Sequence, residues 1–359
     1  MAFSEWERNC NMKKCLLAVL TICSVLLFGC REKHDFLNRT MFAMDTVITL
    51  SAENLSDYRA DMIESYIREC EEIFSKTVTN SEISVLNEKR TALLSPTAAR
   101  VVSESLEISK NTDGAFDICV GALSDLWDIT SGNNIIPDEI SIQNAKETCG
   151  YEKISFSDYT AKLENNGTLV DLGGVVKGFC AGICLDLLEE YKCENACVSL
   201  GGNVAVKGSS KNNMDNGKTG WNVGIKNPDD GSGIIGYLNL TDTTVAVSGD
   251  YERYFEKGGK RYHHIFDTST GFPSDSGLRS VAVVSRDGLV ADALSTALFV
   301  MGKDRAQEFI KKDIYDFECV LVSNDGTVYM TKLLYDVFTP EPYAKNGDGV
   351  EYTYEILAD

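Results

Sequence analysis

The chain has 359 residues, 43% of them hydrophobic and 25% charged, a composition that excludes disorder as the default. Its 34 basic and 54 acidic residues leave a formal charge of -20, which repels nucleic acid and offers no general attraction to anionic lipid. A phosphate-bearing ligand therefore has to be held by local donors or by a metal.

Met12, Lys13 and Lys14 give a positive start to an apolar run from Cys15 to Phe28. That run has the length of a signal h-region and is too short to span a bilayer comfortably. It ends in Leu27-Phe28-Gly29-Cys30, which looks like a bacterial lipobox. Residues 1–29 are thus expected to be a lipoprotein signal, with translation starting at Met1 or Met12, Cys30 lipidated and 30–40 a tether. A plain secretory signal is the alternative. The lipid would hold the protein at the cell membrane, facing outside the cytoplasm. Of the 12 cysteines, Cys10, Cys15, Cys23 and Cys30 lie in this segment. The others are scattered without paired CxxC motifs, so they are expected to be buried or incidental thiols, not a zinc site.

Residues 46–51 alternate as a strand, and apolar residues at Met62, Ile63, Tyr66, Ile67, Cys70, Ile73 and Phe74 predict a helix over 58–76. Ser95-Pro96 is a helix start, with the run ending near Asn111 before Gly114. A short strand from Leu169 is expected to enter Gly173-Gly174, followed by a helix over 175–191. Residues 197–248 read as an antiparallel meander. Then follow a strand at 280–285, helices at 288–301 and 305–312, and a hairpin of 319–322 with 328–330 over Asn324-Asp325-Gly326. The pattern lacks a regular βαβ beat and predicts an α+β fold of mixed or antiparallel sheets with packed helices. One unit is expected over 41–335, with 336–359 as a C-terminal extension.

Three segments could carry chemistry. In Val170 to Gly178, paired glycines let the backbone approach a ligand where a helix begins, and helix N-terminal amides favour an anion. Lys177 adds a charge and Asp171 an acceptor; an ordinary strand-to-helix turn is the plain alternative. In Ala291 to Ala297, Asp292, Ser295 and Thr296 share one helical face and offer oxygens to a hard cation, or merely cap and pack. In Tyr262 to Gly271, His263 and His264 stand beside Asp267 and several hydroxyls, as a general base near neutral pH or as structural turn residues. Gly231 to Gly236 fits GxGxxG but leads into a β-rich run, so it is read as a turn. The sequence contains neither a Walker A motif nor a GxSxG elbow.

Taken in order, these segments resemble the FAD:protein FMN transferase (ApbE-type) family from about Met41 to Leu333. The resemblance also rests on Met44-Asp45-Thr46, Ser81 to Asn87, Gly114 to Asp117, Val120 to Leu123 with Leu126-Trp127, Leu200 to Asn203, and Ser248 to Arg253. It implies an ApbE-like fold in which Met44, Ala115, Phe116, Asp117, Asp171 and Lys177 line an FAD site. His264, Asp267 and Thr270 would belong to a segment closing over the flavin or diphosphate. It further implies a magnesium ion held by Asp292, Ser295, Thr296 and the Gly174 carbonyl, with His264 activating a threonine or serine hydroxyl of an acceptor protein and AMP departing. Acceptors would be flavin-bearing subunits of redox complexes or extracytoplasmic reductases. Three positions depart from the family pattern: Asp45 replaces a glycine, Thr77 an aromatic residue and Asn203 an aspartate. A metal-dependent FAD pyrophosphatase and an FAD-binding carrier lipoprotein are the competing functions.

Overall fold

Alternating residues of Phe36–Ala43 (β1) bury Met41 and Ala43 on one side and leave Asn38, Thr40 and Phe42 exposed, the signature of a strand covered on one face. The computed structural model, which describes residues 35–357, pairs β1 with Thr46–Glu53 (β2) in a hairpin. The predicted tether over 30–40 is therefore cut short. Phe36 onward is held by ladder hydrogen bonds, and the interrupting Asn38 and Arg39 had hidden the alternation in the sequence.

β1 and β2 open a nine-stranded sheet continued by Ala196–Leu200 (β3), Asn203–Lys207 (β4), Thr243–Gly249 (β5), Leu278–Ser285 (β6), Glu318–Ser323 (β7), Thr327–Met330 (β8) and Thr353–Ile356 (β9). Neighbours in this sheet follow chain order, and every pair is antiparallel except the last, β8 with β9. The region 336–359 is therefore not a mere extension: β9 completes the sheet, and Phe338–Pro340 pairs with Ile234–Leu240.

Four longer helices lie against one face. Asp57–Phe74 (α1) starts on Ser56, whose side chain accepts the Arg59 N–H, and buries Ala60, Ile63, Ile67, Cys70 and Phe74 at helical spacing. Pro96–Asn111 (α2) has Ser95 as its cap and proline in the first turn. Val176–Glu190 (α3) and Gly288–Ile310 (α4) are apolar around much of their circumference because they pack on each other as well as on the sheet. The predicted helices at 288–301 and 305–312 form one run broken at Gly302, whose φ of 73° only glycine adopts readily. No helix among the described residues is long and apolar enough to cross a membrane.

The second face carries another core. Ala282, Val284, Val320, Val322, Val328 and Met330 point away from the helices and pack on Ile225, Ile235 and Leu238. The last three belong to a small sheet of Trp221–Lys226, Ile234–Leu240 and Phe338–Pro340. The predicted meander over 197–248 thus divides between two sheets, because that hairpin buries its apolar residues against the back of the main one. The strand expected from Leu169 does not form either. The Asn87 side chain instead accepts the Val170 N–H at 2.7 Å and donates to the Val170 carbonyl at 2.8 Å, meeting locally the needs a ladder would have met.

Candidate active site at one end of the sheet

Antiparallel register gathers the site. Ile48 faces Leu200, Asn203 faces Ala246, and Gly249 faces Ser280, so the β1–β2 tip, the β3–β4 turn, the end of β5 and the start of β6 share one end of the sheet. At the tip, Met44 and Asp45 have φ of 50° and 55°, a two-residue turn matched to strand twist. The Met44 N–H donates to Glu71 Oε1 at 3.0 Å, which ties the tip to α1. Gly201, at φ 54°, is in close approach: an added Cβ would lie 2.3 Å from Thr46 Oγ1.

The start of α3 meets α4 through glycines. A Cβ on Gly178 would fall 2.1 Å from the Gly288 carbonyl and 2.4 Å from Asp292 Cβ, so only glycine permits this approach. The Gly178 N–H donates to Asp292 Oδ2 at 2.8 Å. Burial pushes the Asp292 pKa up, against the pull of Lys177, the Gly178 amide and the Asn203 side chain. The Ser248 hydroxyl lies 2.8 Å from Ser295 Oγ and 3.1 Å from Thr296 Oγ1. Ser295 is fully buried and donates to the Asp292 carbonyl at 2.8 Å, whereas Thr296 is partly open. A Cβ on Gly174 would sit 3.5 Å from Thr296 Oγ1 and 3.6 Å from the Phe116 ring. Gly174, Thr296 and Asp292 are thus neighbours, with the Ser295 hydroxyl committed behind them. No three His, Cys, Asp or Glu side chains cluster as metal ligands among the described residues. One carboxylate with hydroxyl and carbonyl oxygens is a donor set that suits magnesium, which keeps places for phosphate and water.

Asp171 is held by a residue that the sequence reading missed. Its Oδ1 accepts the Gly173 N–H at 2.9 Å, and its Oδ2 lies 2.9 Å from Lys76 Nζ, which also reaches Asp125 at 2.6 Å and Ser124 Oγ at 3.1 Å. Burial alone would raise the Asp171 pKa, but Lys76 and the Gly173 amide outweigh it and hold the group below its ordinary value. In sequence Lys76 is one lysine at a helix end, and nothing distinguishes it. Ala115, Phe116 and Asp117 are all buried; Asp117 accepts the Cys119 N–H at 2.8 Å, and burial pushes its pKa up to about 7.

The 264–271 segment closes on the same region. Thr268 Oγ1 donates to the Gly114 carbonyl at 3.4 Å, and the Trp127 indole N–H to the Gly271 carbonyl at 3.0 Å. Asp267 and Thr270 shape this turn: Asp267 Oδ1 accepts the Ser269 N–H at 2.8 Å, and the Asp267 carbonyl accepts the Thr270 N–H at 3.1 Å. The two histidines differ. His263 is buried, with Nε2 2.9 Å from the Ser274 carbonyl and Nδ1 accepting the Ile265 N–H at 3.3 Å. His264 has an open ring face, and its N–H and Nδ1 both approach the Arg253 carbonyl, at 3.1 and 3.3 Å. Burial by neighbouring protein, then Lys177 and His263, push its pKa down, and the exposure of the ring limits the part that burial plays.

The ApbE family model matches residues 44–321, a span that takes in this whole constellation. The chain belongs to the ApbE family. A family relative from Klebsiella pneumoniae (strain 342), named FAD:protein FMN transferase, is 29% identical over 296 residues, covering 80% of this chain and 89% of its own. One of the same name from Treponema pallidum is 32% identical over 224 residues, covering 59% and 62%. The crystal structure of the ApbE protein from Thermotoga maritima superposes with a TM-score of 0.75 at 30% identity, covering 84% of this chain and 99% of that one. The fold is shared as well with the flavin transferase ApbE of Vibrio cholerae, at a TM-score of 0.76 and 23% identity.

The three positions expected to depart from the family pattern have different surroundings. Asp45 takes a left-handed conformation that aspartate tolerates better than most residues, so the tip turns without a glycine there. Thr77 is exposed and lies 3.0 Å from Ser75 Oγ, offering no ring for stacking. Asn203 is buried against Asp292.

Proposed function

We propose that this chain transfers FMN from FAD to a threonine or serine hydroxyl of a partner flavoprotein, releasing AMP, with magnesium as cofactor. The observation that supports the reading is that Asp292 accepts the Gly178 N–H at the start of α3, with Thr296 close to Gly174 and Lys177 in the same first turn, an arrangement of oxygens and positive charge that suits a cation and a diphosphate. Asp292, Thr296 and the Gly174 carbonyl would hold the ion, with Ser295 and Ser248 supporting Thr296. When bound, magnesium supplies charge neutralisation on the diphosphate.

Nδ1–H of His264 donates to the Arg253 carbonyl, which leaves Nε2 as the acceptor. That nitrogen takes the acceptor hydroxyl's proton as the hydroxyl oxygen bonds to the FMN phosphorus and the diphosphate P–O bond to AMP breaks. Lys177 and the first amides of α3 favour the phosphates there. Phe116, beside Gly174, offers an apolar wall, and the 264–271 turn closes on the Gly114 segment. The protein is proposed to act outside the cytoplasm on subunits of redox complexes or reductases, anchored through Cys30, which lies outside the described residues.

The test is incubation with FAD, magnesium and a candidate acceptor domain, followed by intact mass and AMP assay. Gain of one FMN on the acceptor, lost in Asp292→Ala and His264→Ala, supports the proposal. AMP with free FMN across several acceptors would indicate a pyrophosphatase; bound FAD without AMP would indicate a carrier. Fatty-acid labelling that survives Cys30→Ala would refute the anchor.

A further inference from the structure

Asn203 opens β4 at the site end of the sheet, and its side chain is 1% exposed. It faces Ala246 in the register, on the side of the sheet where Ser248 meets Ser295 and Thr296, and its amide draws the Asp292 pKa down as a donor would. Reversed, the amide would press a carbonyl oxygen against a carboxylate oxygen, so Nδ2 is the atom turned to Asp292 and Oδ1 is turned elsewhere. That Oδ1 is buried and has no hydrogen-bond partner in the protein. The other such side-chain atoms among the described residues are Arg90 Nε, Ser105 Oγ and Thr244 Oγ1, none of them in the cluster around Asp292. Buried amide oxygens are almost always satisfied, by protein, water or ligand. Here the unsatisfied oxygen is one amide group away from the carboxylate proposed to bind an ion.

We infer that Asn203 belongs to the cation site: its Nδ2 orients Asp292, and its Oδ1 faces the divalent ion or a water bound to it. The inference rests on the magnesium reading given above. It makes the site a pairing of one carboxylate with one neutral amide, beside the positive charge of Lys177. Divalent affinity rises with the number of charged ligands, so the chain is tuned toward loose cation binding, completed when a diphosphate brings its own oxygens.

The test measures the ion directly. Mn²⁺ is titrated into full-length chain in detergent, with FAD and without acceptor, and free Mn²⁺ is read by electron paramagnetic resonance. Asn203→Asp is expected to bind Mn²⁺ several-fold more tightly than wild type, and Asn203→Leu roughly tenfold or more weakly. FAD binding in chelator, read by flavin fluorescence, should stay close to wild type in both, whereas metal-free thermal unfolding should fall in both, because each loses the amide donor beside the buried Asp292. Binding by Asn203→Leu within twofold of wild type overturns the inference. Should that variant fail to fold, Asn203→Asp decides alone, and unchanged affinity overturns it. If wild type and Asp292→Ala bind Mn²⁺ equally, the magnesium reading itself falls. Loss in Asp292→Ala with no response to either Asn203 change removes only Asn203.

Discussion

Two neighbouring histidines take their roles from what each ring nitrogen touches. Both nitrogens of His263 are committed to backbone, and its ring meets Phe299 edge-on, so it fills the core in its neutral form. Burial lowers its pKa below the ordinary 6.5. The folded state then binds fewer protons than the unfolded one, and stability from this group is full above pH 6.5 and declines as pH falls below it. Urea unfolding at pH 7.5 and pH 5 should show this loss, and His263→Gln should reduce the difference between the two pH values. His264 is also neutral, but Nε2 is free. Since Lys177 and the protein around the ring lower its pKa, any acid limb in the rate of flavin transfer attributable to this base should lie below pH 6.5. A single-turnover pH profile with a limb at pH 6.5 or above, removed in His264→Ala, would contradict the assignment.

At the level of elements, the α3–α4 contact sets the position of Asp292. Gly178→Ala forces a Cβ onto the Gly288 backbone, so it should cost about 1–3 kcal/mol or more and lower transfer activity together with stability. Gly182→Ala is the comparison: its Cβ would stand 3.2 Å from Gly288 N and farther from the carboxylate, so unfolding should shift less and activity should persist. Lys76 links the end of α1 to Asp125 and to Asp171 before α3. Lys76→Met leaves the largely buried Asp171 without its counter-charge, with an expected loss on the order of 3 kcal/mol in urea unfolding and weaker FAD binding. Lys76→Arg should recover part of both.

For the molecule as a whole, the last strand decides how the sheet ends. β9 covers β8 in parallel, while Tyr352 and Leu357 are buried in the two cores. Tyr352 also donates to Asn227 Oδ1 at 2.8 Å, joining this segment to the small sheet. Truncation at residue 337 should remove about 1.5–3 kcal/mol for each large buried side chain lost and expose the β8 edge. A lower unfolding temperature and concentration-dependent aggregation are the expected readouts; an unchanged unfolding temperature would show that the segment is dispensable.

Local chemistry made several parts of this protein legible from sequence. Ser95-Pro96 marks the start of α2, the glycine pair precedes α3, and Asn324-Asp325-Gly326 joins β7 to β8, because caps and tight turns depend on residues a few positions apart. Family resemblance carried the grouping of His264, Asp292 and Lys177, which periodicity alone left open. Only the tertiary structure decided that 170 is satisfied by Asn87 and not by a strand, that the 221–240 hairpin leaves the main sheet, and that the chain's last residues complete it. It likewise decided that Lys76 locks Asp171 and that Asn203 leans on Asp292. Those outcomes depend on which distant groups share a buried surface, and hydrogen-bond satisfaction and desolvation between residues a hundred positions apart leave no period, spacing or composition for a sequence to display.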